Sequence, residues 1–204
     1  MEMMEVVRKL GPSFLLNVTM NTKNEITQVF AGDVFKAHQA GCQFARENAM
    51  AAVSEPFDIV ITSNSGYPLD QNLYQSIKGI CAASQIVRKG GAILLAARCI
   101  EGLPEYGGYA QILRKAGSVD GVLEMLQQLG FSMQDQWQVQ IQARVQKDAV
   151  VFVCSEGLSD DEIRTAFMTP CDSIDLALPM LMQSYGNKVC VIPDGPLTNP
   201  YVHR

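Results

Sequence analysis

Four short apolar runs, each separated from the next by helix-patterned sequence, limit this chain more than any other feature. They are Asp58–Thr62 (DIVIT), Ala92–Ala97 (AILLAA), Ala149–Cys154 (AVVFVC) and Lys188–Ile192 (KVCVI). Ala92–Ala97 is short and continuously apolar, which suits a parallel strand covered on both faces, and the other three runs read as strands as well. Parallel neighbours need a crossover between them, and a helix is the usual one. The pattern is a hairpin followed by β-α-β-α-β-α-β. It predicts an α/β fold: a mostly parallel, Rossmann-like sheet with helices on both faces, preceded by an N-terminal β-hairpin. At 204 residues, the chain is expected to form one domain over 1-204.

The local signals are as follows. Met1 to Leu10 reads as the tail of a helix stopped by Gly11-Pro12, with no start signal of its own, so the chain is expected to begin inside a longer element. Phe14 to Met20, a turn at Asn21 to Asn24 and Ile26 to Phe30 read as the hairpin. A helix is expected from Asp33 to about Val53, with Phe35, Cys42, Ala45 and Ala49 facing the core. Another is expected from Asp70 to Val87, with Leu73, Ile77, Ile80 and Val87 as its apolar stripe and Gln71, Gln75 and Lys78 as a polar one. Gly90-Gly91 then turns the chain into the second apolar run. Tyr109 to Leu129 is helical, interrupted near Gly117. Trp137 to Gln146 (WQVQIQARVQ) fits both periods; it is assigned to helix because a strand follows at once and needs a crossover. Ser159 and Asp172 or Ser173 open the last two helices, and Pro193 to Pro196 ends regular structure.

Composition removes several classes of function. Hydrophobic residues make up 48% and charged residues 18%, which describes a globular chain. No apolar run approaches the ~20 residues of a membrane span. The start MEMMEVVRKLG lacks the apolar core of a signal peptide. The net charge of −5 and scattered bases disfavour nucleic acid, which wants a basic stripe. Six cysteines stand without a CxxC pair, which reads as reduced thiols in a cytoplasmic protein. Of the two histidines, His38 sits on a helix and reads as a bystander, so no metal site is expected.

In a parallel sheet, ligands sit at the carboxyl ends of the strands. The loops Thr62 to Asp70, Arg98 to Gly108 and the Ser155 region share that edge; Pro193 onward joins them if the last strand is parallel. The turn Ser63-Asn64-Ser65-Gly66, feeding a helix, resembles the anion sites formed by free N–H groups at helix starts. GxGxxG, GxxxxGK[ST] and GxSxG are all absent. Gln75 and Lys78, an amide and an ammonium three residues apart, could hold a carboxylate or phosphate. On spacing alone they are more often a solvated helix face, and Trp137, the sole tryptophan, is more often core.

The run from Thr62 to Gln75 (TSNSGYPLDQNLYQ), followed by Lys78-Gly79, resembles the C-terminal domain of the nickel-pincer lactate racemase family. Phe14 to Val18, Ala31 to Asp33 with Ala37-His38, Gln136 to Gln138 and Pro193 to Thr198 extend the resemblance over nearly the whole chain. Such enzymes are two-domain α/β proteins that racemise lactate or related 2-hydroxy acids by hydride transfer to a nickel-pincer nucleotide. The resemblance implies that Gln75 and Lys78 contact the substrate, Lys78 at its carboxylate, and that Trp137 lines the same cleft. It implies that Tyr74 lines the cofactor, and the turn residues Ser63, Asn64 and Gly66 are assigned beside it by position. Ser65 stands where a second glycine is expected. The tethering lysine and the nickel and catalytic histidines belong to the family's N-terminal domain, and neither His38 nor His203 matches them. The expectation is therefore a fragment or one half of a split enzyme, without catalytic or metal-binding residues of its own. Two other readings stay open: a non-catalytic anion- or nucleotide-binding module, and a dehydrogenase-type enzyme with an unorthodox nucleotide site.

Overall fold

The protein is described by a computed structural model covering residues 2–11, 14–21 and 23–203. The helix stop expected at Pro12 and the Thr22 position of the first turn lie outside the described residues. The chain divides into two compact units, Met1–Met50 and Ala51–Arg204.

The first unit contains α1 (Glu2–Leu10), β1 (Leu15–Met20), β2 (Ile26–Gly32) and α2 (Val34–Asn48). The hairpin is antiparallel, with Leu16 opposite Ala31 and Val18 opposite Val29. Asp33 caps α2, its carboxylate accepting from the N–H groups of Phe35 and Lys36 at 3.1 and 3.0 Å. Ala37 is the buried residue of α2, and Phe44 meets Phe30 of the hairpin edge-to-face at 5.7 Å. Cys42 and Ala49, expected in the core, are exposed. The helix also stops short of Val53. Residues Met50–Val53 form strand β3, which pairs with β9 (Asn199–Val202). The sequence MAAV favours helix locally, and pairing with a strand some 150 residues away overrides that preference.

The second unit, which takes in β3 from Ala51 on, is built on five parallel strands. They are β4 (Phe57–Ser63), β5 (Val87–Ala96), β6 (Ala149–Cys154), β7 (Thr169–Pro170) and β8 (Val189–Ile192), in the order β7-β6-β5-β4-β8. On one face Val60, Ile93, Leu95, Val151 and Val153 pack under α3 (Leu73–Ser84), α4 (Tyr109–Ala116), α5 (Val119–Gln127) and α6 (Gln136–Asp148). On the other, Ile59, Ile61 and Leu94 pack against Leu181 of α8 (Ile174–Tyr185). The two sets alternate along β4, as a doubly covered strand requires. A short helix, α7 (Asp160–Thr165), opens with the capping box expected at Ser159.

Three boundaries differ from the sequence expectation. Helix α3 runs from Leu73 to Ser84, because Asn72 caps its start and Val87 is already paired with Phe57 in the sheet. Gly90 and Gly91 lie within β5, at the irregularity in its pairing with β4, and do not precede it. Regular structure continues past Pro196 through a 3-10 turn, Gly195–Leu197, into β9.

Strands β5, β6 and β7 step outward from β4 on one side, and β8 returns on the other. The carboxyl ends of β4 and β8 therefore flank the switch point where such sheets bind ligands. Here the chain's own return fills it. A Cβ on Gly195 would lie 2.5 Å from the Ser63 carbonyl oxygen and 2.7 Å from Gly79 Cα.

The opposite sheet edge is tied by Asp58. Its carboxylate accepts from Arg88 Nε at 2.6 Å and Lys188 N at 3.0 Å, and Arg88 Nη2 donates to the Tyr185 carbonyl at 2.5 Å. The Arg88 guanidinium, and then the Lys188 N–H, hold the Asp58 carboxyl below its ordinary range. A depressed folded-state pKa stabilises above the unfolded value, near 3.9, and that contribution is lost as pH falls through the folded one. Asp58→Asn is expected to lower the urea midpoint at pH 7. It should also shrink the difference between wild type and variant as pH falls below about 4; a constant difference from pH 7 to 3 would contradict the assignment.

Candidate functional site

The turn after β4 is built around Asn64, which is fully buried. Its side-chain oxygen accepts from Gly79 N at 3.0 Å, and its amide nitrogen donates to the Leu69 carbonyl. Gly79 lies in the second turn of α3, where a Cβ would stand 2.4 Å from the Ser63 carbonyl oxygen. Only glycine lets the turn lie directly on the helix. Ser63 Oγ donates to the Pro193 carbonyl and accepts from Ser65 N at 2.9 Å. Ser65 carries the left-handed φ of 61° at the position where a glycine was expected, and its hydroxyl is buried without a partner. Asn64 thus buttresses the turn, and both ends of its amide are committed inside the protein.

Several N–H groups at the start of α3 are taken up by the protein's own acceptors. Asn72 accepts from Gln75 N at 3.1 Å, and its amide donates to Glu101 Oε2 and Tyr106 Oη, both at 2.9 Å. Leu73 N donates to the Gly102 carbonyl. The available polar chemistry lies further along the helix. Lys78 is exposed, Gln75 is half-buried, and Lys78 Nζ donates to Gln75 Oε1 at 2.7 Å.

An aromatic wall adjoins this pair. The Tyr74 ring stands edge-to-face against buried Tyr109 at 5.5 Å and against Trp137 at 6.2 Å. Trp137 is 54% exposed, so it is surface and not core. Helix α6 enters through Asp135, at a left-handed φ of 64°, whose carboxylate accepts from Gly108 N at 3.1 Å. Burial raises the Tyr74 hydroxyl's pKa, and the Asp135 carboxylate beside it raises it further. Behind Trp137, buried Gln138 donates to the Tyr74 carbonyl at 2.9 Å. One turn on, buried Gln142 accepts from the Tyr109 hydroxyl and donates to the Ala166 carbonyl at 2.9 Å.

The structure therefore sorts the sequence-derived residues into two places. Tyr74 joins Trp137 on one face and stands beside Gln75 and Lys78 on α3. Ser63 and Gly66 instead line a cleft of about 430 Å³ at the carboxyl edge of the sheet, with Asp70, Arg98 and Ser155. Asp70 is buried, its carboxylate accepting from Arg98 N at 3.0 Å. Sequence reasoning missed Asn72, Asp135 and Gln138. The signal for Gln138 was present: it and Gln142 stand four apart in WQVQIQ, on the face that buries Val139 and Ala143. Among the described residues, no group of three His, Cys, Asp or Glu side chains is placed to hold a metal ion. No described helix is long and apolar enough to cross a membrane.

The fold is that of a parallel α/β domain whose switch point is closed, with Lys78, Gln75, Tyr74 and Trp137 carried on the helix pair α3 and α6. The chain belongs to the lactate racemase C-terminal domain family, whose model matches residues 52–197. It is 36% identical over 197 residues to a lactate racemase of Thermoanaerobacterium thermosaccharolyticum and 33% identical over 201 residues to one of Lactiplantibacillus plantarum. Each match takes in 95% of this chain and 46% of the relative, so the chain spans about half the length of the curated relatives it matches. The solved lactate racemase apoprotein from T. thermosaccharolyticum superposes with a TM-score of 0.87 over 99% of this chain and 48% of its own, at 35% identity. A Thermotoga maritima protein of known structure, 13% identical, superposes with a TM-score of 0.63 over 98% of this chain and 52% of its own, and shares the fold alone.

Asn64→Ala would remove the buried side-chain acceptor facing the Gly79 N–H and the donor to the Leu69 carbonyl. A loss of about 2–4 kcal/mol is expected, read from urea unfolding. A loss below about 0.5 kcal/mol would remove Asn64 from its buttressing role.

Proposed function

We propose that this chain supplies the substrate-holding wall of a lactate racemase-like 2-hydroxy-acid racemase or epimerase, and that a partner N-terminal domain supplies the rest of the site. The observation that carries this reading is the joined Lys78–Gln75 pair beside the Tyr74–Trp137 wall, in a chain 33–36% identical to lactate racemases. The Lys78 ammonium and the Gln75 amide are donors suited to a small carboxylate, and charge-assisted hydrogen bonds are the strong ones. The edges of Trp137 and Tyr74 keep water from one side of the α-carbon. Racemisation requires a substituent of that carbon to leave from one face and return on the other. A carboxylate held still throughout keeps the two faces equivalent in reach.

The cofactor in this reading is a nickel-pincer nucleotide bound mainly by the N-terminal domain; when bound, it supplies the hydride acceptor. The aromatic surface of Tyr74 and Trp137 suits a flat pyridinium ring, whereas Ser63 and Gly66 line the separate sheet-edge cleft, with the Ser63 hydroxyl hydrogen committed to the Pro193 carbonyl. Asn64 acts through the turn it shapes. In this reading the nickel ligands belong to the N-terminal domain. The free cysteines accord with a cytoplasmic setting, which belongs to the same proposal.

Trp137 is the sole tryptophan and reports on this wall directly. Titration with lactate is expected to change its emission with a dissociation constant in the millimolar range, on the order of 4 kcal/mol of binding. Lys78→Ala should abolish the saturable change while leaving the melting temperature within a few degrees. An unchanged titration curve for Lys78→Ala would remove the carboxylate-holding role. Racemisation should require both halves; turnover by the 204-residue chain alone, with cofactor supplied, would overturn the division of labour. Tight inorganic phosphate binding that Lys78→Ala leaves intact would favour an anion-binding module at the sheet-edge cleft instead.

A further inference from the structure

Gln138 follows Trp137 directly on α6 and is 3% exposed. Its amide nitrogen donates to the main-chain oxygen of Tyr74 at 2.9 Å. By α-helix geometry that oxygen is also the ladder acceptor for the N–H of Lys78, four residues on. One carbonyl therefore serves the first turn of α3, the backbone of Lys78 and the side chain next to Trp137. A buried amide is retained only where it is hydrogen-bonded, so a glutamine facing the core needs a reason. Gln142 has a structural one, at the Ala166 carbonyl and the Tyr109 hydroxyl. Gln138 has its bond on the helix that carries Tyr74, Gln75 and Lys78.

We propose that Gln138 is a positioning residue: it sets the axial register of α6 against α3, and so the placement of the Trp137 wall relative to the Lys78–Gln75 pair. The proposal deepens the substrate-wall reading above and rests on it for its consequence in ligand binding. Interdigitated side chains between the two helices resist sliding, and a directional bond from α6 to a fixed carbonyl of α3 adds a point that selects one register. Helix displacements of about an ångström are enough to impair a site that needs several groups at once.

The test uses the 204-residue chain and Trp137 emission. Gln138→Met keeps the volume and loses the donor; Gln138→Glu keeps the shape and replaces the donor by an acceptor. Gln146→Met is the control. Gln146 lies on the same helix, and its amide donates to the Ala166 and Phe167 carbonyls, away from the wall. Both Gln138 variants are expected to shift Trp137 emission and raise its quenching by acrylamide in the ligand-free protein. They should also weaken the response to lactate about fivefold. Gln146→Met should change the melting temperature without moving the emission. Unshifted emission and quenching in a folded Gln138 variant would overturn the proposal, and if Gln138→Met fails to fold, Gln138→Glu decides. If the wild-type chain shows no lactate response at all, the substrate-wall reading fails, while the ligand-free emission still decides whether Gln138 sets the register.

Discussion

The contact on which the rest of the second unit depends is the one between the turn after β4 and the second turn of α3. Asn64 meets the Gly79 N–H, and the Ser63 carbonyl approaches the same glycine more closely than any side chain would allow. From the other side, Gly195 lies against the same carbonyl and against Gly79 Cα. Three segments meet there, and neither Gly79 nor Gly195 has room for a side chain of its own. The backbone polar groups brought inside are matched by the amide of Asn64, so the interior stays satisfied despite the density of main chain.

This closure decides where a ligand can go. Parallel sheets of this kind bind at the switch point because two loops diverge there and leave a crevice. In this protein the loops converge, the crevice is occupied, and the capped start of α3 offers few free N–H groups. Near the carboxyl edge of the sheet, the cleft lined by Asp70 and Arg98 stays open, and apart from it stands the face of α3 and α6 that carries Lys78, Gln75, Tyr74 and Trp137. The second of these carries the aromatic rings and the polar pair on which the proposed reading rests. Its two helices are joined by the bond from Gln138 of α6 to the Tyr74 carbonyl of α3.

Much of this was legible in the sequence. Buried parallel strands announce themselves as unbroken apolar runs, and β4, β6 and β8 fall where those runs lie. The caps at Asp33, Ser159 and Ser173 were legible because capping is a local interaction. What was not legible is what depends on distant partners. Strand β3 reads as helix until β9 pairs with it, and Val87 reads as helix until Phe57 does. Lys78 and Gln75 were named on resemblance, since on spacing alone they read as a solvated helix face. On spacing alone Trp137 favoured the core, and its exposure follows from its position at the very start of α6. Asn64 looked like a lining residue because a polar side chain in a turn usually faces solvent; the missing information was Gly79, fifteen residues on.

The wall formed by α3 and α6 has an electrostatic consequence of its own. An ammonium in water gains little from a carboxylate: exposed pairs contribute about 0–1 kcal/mol, because solvent screens them and side-chain freedom is lost. The same pair is worth several times more once water is excluded on all sides. Lys78 is exposed on this chain, and Trp137 is half in solvent. Under the proposed reading, such a wall binds its anion weakly until a second surface covers it, and the covering surface strengthens Lys78 and Gln75 without touching them. Dividing a site between two domains in this way makes substrate grip conditional on closure. A carboxylate is then held firmly only when the groups that act on its α-carbon are also in place.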